Sequence, residues 1–154
     1  MTNIMKRLRM RLSDRLFIFC VGLIFFGLMT ACSNESQNEV EFKQSYDSGK
    51  AYYEDECQKC HKENGEGLSM LYPPLANSDY LKTNETQLVC IIYKGLKGPI
   101  VVNGKKYNWP MPAHQKIDEI QMSSILTYIQ STWGNTQRRV DFKQARAMMD
   151  ACGN

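Results

Sequence analysis

Histidine is nearly absent. The 154-residue chain has two, His61 and His114. A closed structural zinc site takes four ligands, usually as two close pairs. The chain offers one such pair, Cys57 and Cys60, because Cys90 and Cys152 stand 62 residues apart. Zinc is therefore a poor reading. Also missing are a carboxylate pair placed for acid–base work, a Ser-His arrangement and a Gly-rich phosphate loop, so no hydrolytic or phosphoryl-transfer chemistry is indicated. No apolar run reaches the about 20 residues that a spanning helix needs. The longest, Leu16 to Met29, has fourteen.

That short run has a different use. Lys6, Arg7, Arg9, Arg11 and Arg15 precede it, and small residues Thr30 and Ala31 follow. A basic segment, an apolar segment and a small-residue cleavage site make a signal peptide. An uncleaved short anchor is the alternative. "LMTAC" is similar to a bacterial lipobox, with Met29 where Leu is commonest, which makes Cys32 the lipid-bearing first residue of the mature chain. A plain cleavage site is the other reading. The polar stretch "SNESQNEVE" then reads as a flexible tether, giving residues 1–31 as signal, 32–41 as tether and 42–135 as the domain. Residues 136–154 read as a helical extension packed on that domain.

Cleavage changes the charge argument. The whole chain is +3, and residues 1–31 hold five basic residues and one acid, so the remainder is about −1. A nucleic-acid partner loses its electrostatic basis. Within the remainder, residues 35–66 hold nine acids against four lysines, while residues 82–116 hold six lysines. A solvated face is the ordinary explanation of such runs.

"CQKCH", Cys57 to His61, decides the chemistry. A thioredoxin-like C-x-x-C belongs in a βαβ pattern, and no apolar strand precedes this one. C-x-x-C-H as a haem attachment remains. Two thiols add across two vinyl groups, and the adjacent His61 reaches the iron. Export fits, since attachment of this kind occurs outside the cytoplasm. For the sixth ligand, "NWPMPAH" places Met111 between Pro110 and Pro112. Two prolines fix φ and remove two donors, so this is a stiff loop presenting one thioether. Core filling is the ordinary role of a methionine, but Met111 lies on no periodic element. His114 is the rival ligand.

With "CQKCH" and "WPMPAH" both present, the chain resembles the class I monohaem cytochromes c over about residues 45–135. Gly49 and Tyr53 stand eight and four residues before Cys57, as on that family's first helix. "NGEGLSMLYPPLANSDYL" looks like the family's Gly-rich loop leading to a Pro-Leu. The resemblance implies a small all-α fold wrapped around one covalent haem c, with a short β-hairpin-like loop before the axial methionine. It implies that Pro73 offers its carbonyl to Nδ1–H of His61, with Pro74 as runner-up, and it places Leu75 beside the haem. It also pairs Gly49 with Tyr128 where the first and last helices cross. "TYIQSTWGN" resembles the last helix of a subgroup found beside oxidases, nitrite reductases and alcohol dehydrogenases. Lys62 departs from the pattern, since a glycine commonly follows the histidine.

The local signals agree. Asn84 with Gln87 resembles a capping box opening a helix whose Leu88, Ile91 and Ile92 share a haem-facing side, and Gly95 ends it. "PIVVNGKKY" is two short β-like runs about Asn103-Gly104, a hairpin signal that leads Tyr107 and Trp109 back toward the haem. Asp118 with Gln121 caps a second helix, along which Met122, Ile125, Leu126, Ile129 and Trp133 form an apolar stripe.

Cys90 lies about 160° around its helix from Leu88 and Ile92, away from the haem. Asp141 could cap a final helix carrying Phe142, Ala145, Met149 and Cys152 on one face. That face would cover Cys90, and an exported chain permits a Cys90–Cys152 disulfide. Two unpaired cysteines are the alternative.

These readings describe a non-enzymatic, membrane-tethered one-electron carrier of the cell envelope. It would face the periplasm or the extracytoplasmic side. Its partners would be redox proteins (oxidase, reductase or dehydrogenase), with no nucleic acid and no small-molecule substrate. Lys94, Lys97, Lys105 and Lys106 border the hairpin and could steer an acidic partner. Two alternatives are a permanent haem subunit of an oxidoreductase and a haem sensor whose Met111 is displaceable.

Overall fold

The computed structural model describes residues 17–23, 33–135 and 138–153. The chain divides into two units, residues 1–40 and 41–154. In the first, residues 17–23 are helical and exposed. Among the described residues, no helix is long and apolar enough to cross a membrane. Cys32 and most of the expected signal lie outside the described residues.

Helix α1 spans Ser33–Glu56. Its first turns replace the flexible tether expected over 32–41. The physical reason is local: residues 33–48 contain neither Gly nor Pro, so nothing interrupts helix propagation. Residues 37–40 are exposed, and the helix acquires buried positions only further along, at Gly49 and Tyr53.

After a break at Cys57, a single turn, α2 (Gln58–His61), carries the histidine. A long loop follows. Helix α3 (Asp79–Thr83) is capped by Ser78, whose hydroxyl accepts from the Leu81 amide. Sequence alone did not show α3, and its presence overturns the expected capping box at Asn84. The Asn84 side chain turns back to donate to the Tyr80 carbonyl at 2.9 Å and to Thr83 Oγ1 at 3.0 Å. It closes α3 and leaves a 3₁₀ turn, Glu85–Gln87, before α4 (Leu88–Lys94).

Strands β1 (Ile100–Val102) and β2 (Lys105–Tyr107) pair antiparallel in the register Ile100↔Tyr107, Val101↔Lys106, Val102↔Lys105. Asn103 and Gly104 both have positive φ, 49° and 74°, as a two-residue hairpin turn matched to strand twist requires. The tip is tied down reciprocally. The Asp79 amide donates to Asn103 Oδ1 at 3.0 Å, and the Asn103 amide donates to Asp79 Oδ1 at 2.7 Å.

Helix α5 (Glu119–Ser131) begins with the capping box expected of Asp118 and Gln121. Every residue from Met122 to Gln130 is buried, so the single apolar stripe understates its role. Small polar Ser123, Ser124 and Thr127 face neighbouring elements, where short side chains allow close approach. Thr127 Oγ1 donates to the Ser123 carbonyl and accepts from the Val140 amide at 3.0 Å. Trp133 is not on the stripe. The helix ends at Ser131, and Trp133 follows it with φ 55°.

Helix α6 (Phe142–Ala151) is capped by Asp141 and packs on α4 and α5. Ala145 is fully buried and Met149 packs on the core. Phe142, expected on the same face, is exposed instead. At the first position it precedes the turn that meets α5.

Candidate functional site

Several segments enclose one apolar cleft of about 650 Å³, its open mouth included. Cys57 and His61 form one part of the wall, and Pro73, Pro74 and Leu75 another. Leu88, Ile91 and Ile92 of α4 supply a side, Ile125 and Ile129 of α5 a second, and Met111 with Leu96 a third. The α4 trio is the set whose spacing put it on one face. Ser78, Tyr80 and Leu81 from the unforeseen α3 complete the lining, with Ile100 and Val102 from β1.

The histidine is oriented from behind. His61 Nδ1 lies 3.0 Å from the Pro73 carbonyl. A carbonyl only accepts, so Nδ1 carries the proton and Nε2 is left with its lone pair for a metal. Burial first, offset by the Pro73 carbonyl and reinforced by nearby His114, lowers the His61 pKa. The ring is therefore neutral, as a metal ligand must be. Gly67 makes the contact reachable. A Cβ on it would stand 2.8 Å from the Pro73 carbonyl oxygen, and its amide donates to the His61 carbonyl.

Met111 is held by its backbone. Its amide donates to the Leu96 carbonyl at 2.9 Å, and the Leu96 amide donates to the Met111 carbonyl at 3.1 Å. This two-way bridge fixes the loop between Pro110 and Pro112 and turns the thioether to the cleft.

Cys57 lines the cleft and Cys60 is half-buried beside it. Burial, then Glu56 and Cys60, push the Cys57 thiol up to about 12. A redox dithiol needs the opposite, a stabilised thiolate. Among the described residues, no group of three or more His, Cys, Asp and Glu converges as a metal site.

Tyr107 and Trp109 do not join the lining. The register puts Tyr107 on the same face as Ile100, buried but on the strand farther from the cleft. Trp109 lies past β2 and is 60% exposed. The hairpin reaches the cleft through β1 instead. Alternation along "PIVV" carried that signal, since Ile100 and Val102 share one face.

Cys90 and Cys152 form a disulfide with Cα atoms 5.3 Å apart, on the side of α4 away from Leu88 and Ile92.

An apolar cleft with C-x-x-C-H in one wall, an oriented imidazole and a thioether in another defines a protein built around a covalently held haem. The lining fits the group: flat aliphatic walls, two thiols at attachment spacing, and an imidazole and a thioether, donor types that haem iron accepts. The chain belongs to the cytochrome c family, whose model matches residues 46–133. It is 31% identical over 101 residues to a cytochrome c-552 of Thermus thermophilus, covering 63% of this chain and 76% of that one. A second Thermus thermophilus cytochrome c-552 gives the same identity over 67% of its length. The cytochrome c subunit of a quinone alcohol dehydrogenase from Gluconacetobacter polyoxogenes is 32% identical over 90 residues, 54% of this chain but 18% of that subunit.

Proposed function

We propose that the chain is a one-electron carrier of the cell envelope. In this reading Cys57 and Cys60 hold haem c, and His61 and Met111 are its axial ligands. A haem bound there supplies reversible ferric/ferrous chemistry, with a thioether ligand favouring the ferrous form. The protein's residues do the rest. Pro73 fixes the His61 tautomer, Leu96 fixes Met111, and the aliphatic walls keep water from the ligands. The carrying observation is that His61 and Met111 line the same apolar cleft. With both bound, no position is left for substrate.

The test is a visible spectrum of the exported protein, oxidised and reduced, with Met111→Ala beside it. We expect a low-spin spectrum with a far-red Met–iron band that the substitution removes while opening the iron to carbon monoxide. A band that survives Met111→Ala rules Met111 out as the ligand. Wild-type protein that binds carbon monoxide readily at neutral pH favours the sensor reading instead.

Cys32 is the proposed lipid attachment point. Mass spectrometry of membrane-extracted protein decides it, and an intact 1–31 segment refutes it. The partner-facing candidates are Lys97, Lys105 and Lys106, all exposed. Lys94 is less free than the sequence suggests, because its ammonium donates to the Gly153 carbonyl.

A second reading, a permanent haem subunit, draws on exposed Trp109 and on similarity to the cytochrome c subunit of a quinone alcohol dehydrogenase. Co-purification with a large subunit is its test.

A further inference from the structure

Glu56 and His114 are 58 residues apart in sequence and meet at 3.2 Å. Glu56 ends α1, directly before Cys57, and His114 follows Met111 by three residues. A carboxylate only accepts, so imidazole Nδ1–H is the donor. The His114 amide also donates, to the Ile92 carbonyl at 3.0 Å. The loop is thus pinned twice, at Met111 through Leu96 and at His114 through Ile92 and Glu56.

The pin sends the two side chains to different places. Met111 lines the apolar cleft. His114 lines a separate polar groove with Tyr52, Asp55, Glu56 and Gln121. Ile125 borders both, so the groove that holds His114 and the cleft share a wall residue. His114 is the chain's one imidazole besides His61. Nitrogen is a good donor to haem iron, and three residues of chain span up to about 10 Å. A freed His114 therefore has both the chemistry and the reach to compete with Met111.

We propose that Glu56 is a positioning residue that guards ligand choice. By holding His114 in the polar groove, it makes the loop present a thioether and not an imidazole. The inference rests on reading Met111 as the axial ligand. Losing the guard would free the imidazole nitrogen to take the thioether's place, one nitrogen–iron bond formed for one sulfur–iron bond broken, with no electron transferred.

The experiment uses holoprotein and four variants: Glu56→Ala, Glu56→Gln, His114→Ala and the double variant Glu56→Ala/His114→Ala. The Glu56 side chain is 45% exposed, so the Glu56 changes leave the core intact. The readouts are the far-red Met–iron band and the reduction potential, followed from neutral to mildly alkaline pH. We expect Glu56→Ala to lose the band and drop in potential, with a low-spin all-nitrogen spectrum. Glu56→Gln should keep the band, since its amide oxygen still accepts from Nδ1–H. His114→Ala should keep it, and the double variant should regain it. A Glu56→Ala protein that keeps wild-type band and potential overturns the guard. So does a double variant that stays without the band, because the intruding ligand is then not His114. Wild-type protein with no far-red band overturns the Met111 reading, and the guard with it, before any variant is compared.

Discussion

Gly49 on α1 packs against the backbone carbonyl of Ser124 on α5. A Cβ added there would overlap that carbonyl and stand 2.9 Å from Tyr128 Cβ. Around this contact, Tyr128 meets Tyr46 at 5.1 Å and Tyr53 at 5.4 Å between ring centroids. Trp133 closes the group against Tyr53 at 5.2 Å. The missing side chain is thus what lets the aromatic rings interlock. Gly49→Ala forces two backbones apart, and such overpacking costs about 2–3 kcal/mol. Denaturant melting of the holoprotein should show that loss with an unchanged haem spectrum. A loss under about 0.5 kcal/mol, within ordinary surface variation, means the helices separate freely here.

Lys62 follows His61 with φ 66° and ψ 169°. That region is nearly exclusive to glycine, and occupying it costs about 1–3 kcal/mol. The surroundings enforce it. Tyr53 Oη donates to the Lys62 carbonyl at 2.6 Å, and the Lys62 amide donates to the Gln58 carbonyl at 2.8 Å. Lys62→Gly should therefore stabilise by about 1 kcal/mol after the extra freedom of glycine in the unfolded chain is counted. Equilibrium unfolding checks it, and a decrease in stability sinks the strain argument.

Burial holds His61 below the ordinary imidazole value of 6.5. The folded chain keeps the ring neutral where the unfolded chain would protonate it, so the unfolded state binds more protons as pH falls. Stability from this group is present above about pH 6.5 and is lost as pH drops toward the folded value. Metal ligation extends the loss to lower pH. Acid titration of the holoprotein should show the low-spin spectrum and global stability declining together, at a pH below that of a free imidazole. A stability that rises on acidification from pH 7 to 5 contradicts the sign.

Much of the site was legible because its signals are local. "CQKCH" and the double-proline loop around Met111 each lie within a few residues. The Asp118–Gln121 box and the Asn103-Gly104 turn are equally short-range, and each appears in the fold. Most of what escaped depends on distant partners. Asn84 is the exception: its partners Tyr80 and Thr83 are close in sequence, and it reads as an N-cap until α3 forms and supplies a carbonyl for its amide. Trp133 continues the α5 period in sequence, yet the helix stops at Ser131 and the indole folds back on Tyr53. It also covers Gly65, where a Cβ would stand 2.6 Å from the indole ring. The hairpin signal points Trp109 back toward the cleft, yet Ile100 and Val102 of β1 line it and Trp109 is exposed. Burial of Ser123, Ser124 and Thr127 could not be read from a helical stripe, because α1 and α6 cover those faces.

The last prediction concerns α6. Beyond the packing of Ala145 and Met149, its attachments include the Cys90–Cys152 bond, the Arg146–Glu119 ion pair at 2.9 Å, the Lys94 ammonium on the Gly153 carbonyl and the Val140 amide on Thr127 Oγ1. The ion pair is largely exposed and worth about 0–1 kcal/mol. The disulfide closes a loop with a sequence separation of 62 residues, which the chain-entropy model values at about 4 kcal/mol. Cys152→Ser should therefore lower global stability by up to about 4 kcal/mol. The full loss appears only if α6 unfolds together with the domain. If α6 opens by itself, hydrogen exchange should show its amides losing protection first, with those of α5 next as Thr127 is uncovered. The haem spectrum should barely change, because Cys90 lies on the side of α4 away from Leu88 and Ile92. Thiol counting on denatured, unreduced wild-type holoprotein should find no free Cys90 or Cys152. Two reactive thiols, or a Cys152→Ser variant as stable as the wild type with its α6 amides still protected, would remove the disulfide from this account of how α6 is held.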